Sequence, residues 1–185
     1  MKKSTILVLG FFGLAMIDAF IGMNFPIDYS YVESSVVPHF CLIGTLIYLK
    51  DKDWLDRLLI GGVIGILFDC FFTNTFPKNC FLFALLAFGI GFLNPYIQTR
   101  KKACITFVIF ALLYDFIPFG FTRFTHPEYM PFPVWARQLE LYSVVLSIIT
   151  ALILMYIKEV MSRYFSIREK RKKIKEKRRN KKARV

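Results

Sequence analysis

Most of what a catalytic or metal site is built from is scarce in this chain. Its 185 residues include only two His and four Cys. His39 and His126 lie far apart, and Cys41, Cys70, Cys80 and Cys104 form no C-x-x-C pair, so no metal centre is expected. A disulfide between Cys70 and Cys80 is imaginable, but the thiols read first as small buried apolar residues. The phosphate-binding glycine loop, the G-x-S-x-G turn, the H-E-x-x-H helix and the dinucleotide fingerprint are all missing. The polar stretches between apolar runs are too short to hold a soluble site. These absences argue against an enzyme, and no cofactor is expected.

Charge is also scarce over most of the chain, and apolar residues are abundant. Hydrophobic residues make up 56% of the sequence, 21 of them Phe, and the mean hydropathy is +0.48. A soluble domain of this length cannot bury that much apolar surface. The apolar residues come in the continuous runs that bilayer-spanning helices need, not in the short alternating segments of a β-barrel. The expected class is therefore an all-α, polytopic membrane protein. Six spans are expected, over residues 4–23, 34–49, 58–72, 80–97, 103–121 and 139–161. The first reads as a retained span, because Asp18 interrupts it and no small-residue cleavage site follows. Pro118 is expected to kink the fifth.

The placement of Lys and Arg gives the orientation. With the N-terminus inside, the inner segments carry 22 Lys/Arg and the outer loops only Lys78, Arg123 and Arg137. That asymmetry predicts both termini in the cytoplasm. From Lys158 to Val185 stand 14 Lys/Arg against three Glu, so the net charge of +12 resides almost wholly in the tail. Two regions follow: a six-helix transmembrane domain, 1–161, and a basic cytoplasmic tail, 162–185, expected to be disordered or lipid-bound. Arg168, Lys170, Arg171, Lys172, Lys173 and Lys175 are the candidates for contact with anionic lipid headgroups or a partner. No nucleic acid partner is expected.

Three acids interrupt the apolar runs: Asp18, Asp69 and Asp115. They fall on the three spans that run outward, each a few residues before the outer end, so they share one layer. A carboxylate in lipid costs ~2.5–3.5 kcal/mol on insertion scales, and such groups face protein or water. Each follows a small residue by about one turn: Ala15, Gly65 and Ala111. Gly61, Gly62 and Gly65 form a strip ahead of Asp69, which predicts a close helix contact there. The favoured reading is structural, with each carboxylate hydrogen-bonded to a neighbouring helix or capping it. Docking of a membrane partner and a proton or cation path are the alternatives. Residues 16–26 also align without a gap on residues 67–77, matching at Asp, two Phe and Pro, which suggests successive hairpins with an acid near each outer tip. Leu113-Tyr-Asp matches only the start of that pattern.

The Gly-rich third span ending in Gly65-Ile-Leu-Phe-Asp69, the short polar turn with Pro77 and the apolar fourth span together resemble the rod shape-determining MreD family. The match is residue-specific between Leu58 and Phe92, while Lys78-Asn79 departs from the family's usual turn. The resemblance implies a multi-pass protein of the bacterial plasma membrane, without catalytic activity, acting as a scaffold of the cell-shape and elongation machinery for lateral peptidoglycan synthesis. Its implied partners are MreC and, through it, MreB, RodA and a class B penicillin-binding transpeptidase. The layout is also similar to the substrate-binding S-components of energy-coupling-factor vitamin transporters, which is the alternative function. A small proton-coupled carrier is a third possibility. The sequence leaves open which helix face would bind a partner and whether a small molecule is bound.

Overall fold

The computed structural model describes residues 3–26, 35–73 and 77–182. Among the described residues the chain is all-helical, without strands. Helix α1 is Lys3–Asn24, α2 Phe40–Leu49, α3 Trp54–Phe68, α4 Lys78–Leu93, α5 Arg100–Thr125, α6 Phe132–Trp135 and α7 Leu141–Lys182. Wider π-helical turns extend α3 over Asp69–Thr73 and join α6 to α7 over Ala136–Glu140. The apolar stretches 5–24, 78–96, 100–125 and 132–168 are each long and apolar enough to cross a membrane.

The second apolar stretch departs most from expectation. It was expected to be helical from residue 34, but Ser35–His39 is not helical and α2 has only ten residues. Pro38 explains the late start, since proline forces its predecessor out of the helical region and cannot donate a backbone bond. Ten residues reach roughly 15 Å, half the thickness of a bilayer core. Cys41, Leu42, Ile43, Thr45, Leu46, Ile47 and Leu49 are all buried, because α2 runs through the middle of the bundle and touches α1, α3, α4, α5 and α7. Around it Phe83, Leu86, Ile90, Phe107, Phe110 and Ala151 complete the main core.

Other boundaries shift as well. The charged loop expected before the third span is partly helical, since α3 begins at Trp54. Helix α5 continues through Pro118 to Thr125. The expected outer loop 122–138 contains α6, so the last apolar stretch starts at Phe132. Phe119, Met130 and Trp135 form a second small core at that end, with Phe119 stacked on Trp135 at 4.6 Å. The helix does not break at residue 162, and α7 carries the basic run onward to Lys182. Asp28 and Glu33 of the expected first outer loop lie outside the described residues, as do the tip of the 73–79 turn and Ala183–Val185.

Helix α3 packs along α4 more extensively than any other pair of helices. Glycine makes this possible. A Cβ at Gly61 would stand 2.8 Å from Ala87 Cβ and 3.0 Å from Phe83 O. One at Gly65 would stand 2.4 Å from Asn79 O and 2.7 Å from Cys80 Cα. Of the two registers in the glycine strip, Gly61-x-x-x-Gly65 is the one that meets α4. Gly62 is offset, with Ala84 Cβ at an ordinary 3.9 Å.

Candidate functional site

A helix leaves its first four N–H groups without intrahelical partners. In lipid no water answers them, so side chains must. Asp18, one turn beyond the buried Ala15, reaches from α1 to the start of α2. Its Oδ1 accepts from Phe40 N at 2.8 Å and its Oδ2 from Cys41 N at 2.8 Å. Asp69 does the same for α4. Its Oδ1 accepts from Asn79 N at 3.2 Å and its Oδ2 from Cys80 N at 2.9 Å. Both acids are buried, Asp69 completely. A carboxylate here meets both the free donors and the positive end of the helix dipole.

The aligned segments 16–26 and 67–77 therefore share a structural role: an acid near the end of one helix caps the start of the next. In the second hairpin the glycine strip is part of the device. Gly65 lets the start of α4 approach the α3 backbone, and Asp69 lies one turn further on. Asp115 departs from the pattern, as its weak sequence match foreshadows. It caps nothing, and its Oδ2 instead stands 2.9 Å from His39 Nε2. Among the described residues neither atom has a well-aligned hydrogen bond to another group. Ala111 before it is buried, like Ala15.

The three acids do share one end of the bundle, where His39, expected near the start of the second span, joins them together with Tyr114, Ser143, Ser147 and Glu140. His39 immediately precedes α2, and its Nδ1 lies 3.1 Å from Ser147 Oγ of α7. Its ring meets that of Tyr114 edge-on at 5.7 Å. The Tyr114 hydroxyl donates to Asn79 Oδ1, next to the Asp69 cap. Val37 N donates to Ser143 Oγ at 2.9 Å, which fixes the extended segment before α2 against α7. Glu140, also buried, lies within electrostatic reach of Asp115 and His39. A lone His and scattered Ser carry no local pattern, and the place of His39 near the start of the second expected span is the one signal that puts it within reach of the acids.

The order Ser147–His39–Asp115 superficially matches a nucleophile relay. Ser147 and His39 are each only 2% exposed, enclosed between α2 and α7. The two α2 N–H groups that could have stabilised an oxyanion are already taken by Asp18. The polar layer is thus a set of helix-end caps and interhelical bonds. Among the described residues no group of His, Cys, Asp and Glu is arranged to hold a metal, and the four cysteines are free thiols.

At the opposite end, cations serve the same purpose. Lys158 of α7 donates to Ile47 O in the last turn of α2 at 3.0 Å and to Asp51 Oδ2 at 2.8 Å. Burial alone would raise the Asp51 carboxyl, but the Lys158 and Lys50 ammonium groups outweigh it and hold it below the ordinary carboxylate range. Of the tail candidates, Lys170 and Arg171 are exposed and Arg168 is partly buried. The side chains of Lys172, Lys173 and Lys175 lie outside the described residues.

A profile of one protein family, described as rod shape-determining protein MreD, matches residues 2–167. No curated protein and no solved structure matches the chain. The match spans every apolar helix and both capping acids. The chain belongs to the MreD family of rod shape-determining membrane proteins.

Proposed function

We propose that this chain is a non-catalytic scaffold of the bacterial elongation machinery, crossing the plasma membrane six times with both termini in the cytoplasm. In this reading α2 with its extended lead-in, and α3 with its π-helical turn, are the second and third crossings. The observation that carries the scaffold reading is the use of the buried acids. Asp18 and Asp69 spend both carboxylate oxygens on neighbouring helix ends, which leaves packing and surface, rather than chemistry, as the output. The asymmetry of 22 inner against three outer Lys/Arg supports the orientation.

The scaffold would link lateral peptidoglycan synthesis to MreC and, through it, to MreB, RodA and a class B penicillin-binding transpeptidase. Its outward apolar faces, such as Val8, Phe12, Met16 and Phe20 on α1, would meet lipid or the membrane anchor of MreC. The part of the basic arm nearest the membrane would meet anionic headgroups. Affinity capture of the tagged chain from membranes in mild detergent tests this. Recovery of MreC with the peptidoglycan synthases is expected. A chain recovered without them, from cells that express them, would sink the scaffold reading. Neighbouring genes for vitamin metabolism in place of those for MreB and MreC would favour the transporter-subunit alternative.

A further inference from the structure

Tyr114 stands between the two capped helix starts. Its hydroxyl donates to Asn79 Oδ1, and the Asn79 backbone N–H is itself one of the two donors to Asp69, at 3.2 Å. Its ring meets Phe83 edge-on at 5.9 Å, one turn further along α4. The same ring meets His39 edge-on at 5.7 Å. His39 directly precedes Phe40, whose N–H is held by Asp18 at 2.8 Å. Asp115, the next residue of α5, stands 2.9 Å from His39 Nε2. Two consecutive residues of α5 thus grip the residue that leads into α2, and one of them also grips the first turn of α4.

These contacts leave little freedom at either start. Asn79 and His39 are each buried. If the first turn of α4 moves, either the Tyr114–Asn79 bond breaks in a dry interior, at the cost of a buried polar group, or Tyr114 follows. Tyr114 cannot follow without pressing on His39, whose Nδ1 lies 3.1 Å from Ser147 Oγ on α7. Helices α2 and α4 also touch directly. Apolar contacts are non-directional and tolerate small shifts, whereas a hydrogen bond weakens steeply once its angle is lost. The link between the two starts therefore depends on the Tyr114 hydroxyl more than on its ring.

We propose that Tyr114 couples the two caps, so that the starts of α2 and α4 loosen together rather than independently. Coupling of this kind travels through packed side chains and hydrogen bonds, and it is reciprocal. Amide exchange of the full-length chain in phosphatidylcholine nanodiscs tests it. Asp69→Asn should speed exchange at Cys80, its own donor, and also at Phe40 and Cys41, by about threefold, the scale of one interhelical hydrogen bond in a membrane. In a Tyr114→Phe background, which keeps the ring, the effect at Phe40 and Cys41 should vanish while that at Cys80 remains. Asn79→Ala breaks the same bond from the other side, keeps the backbone N–H, and should give the same result; should Tyr114→Phe not fold, it decides alone. In the reverse direction, Asp18→Asn should speed Asn79 and Cys80 by a similar factor. Gly61→Ala crowds α3 against α4 without touching a cap and should leave Phe40 and Cys41 unchanged. Phe40 and Cys41 indifferent to Asp69→Asn, transmission that survives in either background, or an equal response to Gly61→Ala would each overturn the proposal, the last by showing general loosening.

Discussion

Replacing Gly65 by Ala isolates the contact on which the α3–α4 hairpin depends. The new Cβ would stand 2.4 Å from Asn79 O and 2.7 Å from Cys80 Cα, both backbone atoms of α4. Carbon contacts are comfortable from about 3.5 Å, so the start of α4 must retreat by roughly 1 Å. That movement carries the Asn79 and Cys80 N–H groups away from Asp69, from 3.2 and 2.9 Å to beyond hydrogen-bonding distance. Overpacking costs ~1–3 kcal/mol. Each interhelical hydrogen bond weakened in a membrane adds about 0.6 kcal/mol, or up to ~1.7. Ala regains about 1 kcal/mol of helix propensity. The net expectation is a loss of about 1–5 kcal/mol at a position where the smallest possible side chain is added.

The neighbouring glycines supply the controls. Gly61→Ala meets Ala87 Cβ at 2.8 Å and should cost less than Gly65→Ala, because it disturbs no cap. Gly62→Ala meets only Ala84 Cβ at 3.9 Å and should be neutral, or stabilising by up to about 1 kcal/mol. Unfolding of the purified variants in mild detergent by titration with sodium dodecyl sulfate, followed by circular dichroism, gives the ranking. If Gly62→Ala were as damaging as Gly65→Ala, or if Gly65→Ala were harmless, the account of Gly65 and Asp69 as one device would be wrong.

The two caps should behave alike: Asp18→Asn and Asp69→Asn each keep one acceptor and turn an amide NH2 toward a backbone donor, costing about 1–3 kcal/mol in the same titration. His39→Ala removes the contacts to the half-buried Asp115 and to Ser147 and should cost about 1–3 kcal/mol, while the His39→Ala/Asp115→Ala double variant should be less damaging than the two single losses summed. The lowered Asp51 carboxyl gives a pH prediction. Its ion pair with Lys158 stabilises the fold above the unfolded-state value near 4 and is lost as pH falls through the still lower folded-state value. Asp51→Asn should therefore weaken the protein slightly at pH 7, by at most ~1 kcal/mol for so exposed a pair, and not at all near pH 2; an equal loss at both pH values would refute the assignment.

The membrane character was legible because a lipid solvent demands long apolar runs, and the sequence supplies them. The acids were legible for the converse reason: a carboxylate in such a run must have a partner. The identity of that partner was not. Asp18 binds backbone 22 residues ahead, across a segment whose length says nothing of where the chain returns. His39 meets Asp115 only because α2 and α5 are neighbours, a tertiary fact with no local signature. The glycine strip offered two registers, and spacing alone could not choose Gly61 and Gly65 over Gly62. Arg57 lying over Gly91, at the end of the same helix pair away from Asp69, was missed altogether.

The short α2 also explains why this bundle tolerates so much buried charge. A helix that crosses the whole bilayer presents its unpaired N–H and C=O groups to water at both surfaces. A helix of roughly 15 Å cannot. Its first end stops inside the protein, where each unanswered backbone group would cost several kcal/mol in a bilayer, while its last end runs into the exposed stretch Asp51–Asp53. Asp18 answers the first end and Lys158 the last, each from a flanking helix and each with the charge sign that suits that end of the dipole. The acid thus follows from where Pro38 makes α2 begin, while Lys158 adds a cation at the end that meets the exposed 51–53 stretch. It follows that Asp18→Ala and Lys158→Met should loosen α2 specifically, seen as faster amide exchange over Phe40–Leu49 than over α4. Exchange that rose equally in α4, whose own cap is untouched, would mean that α2 is not the element these two residues hold.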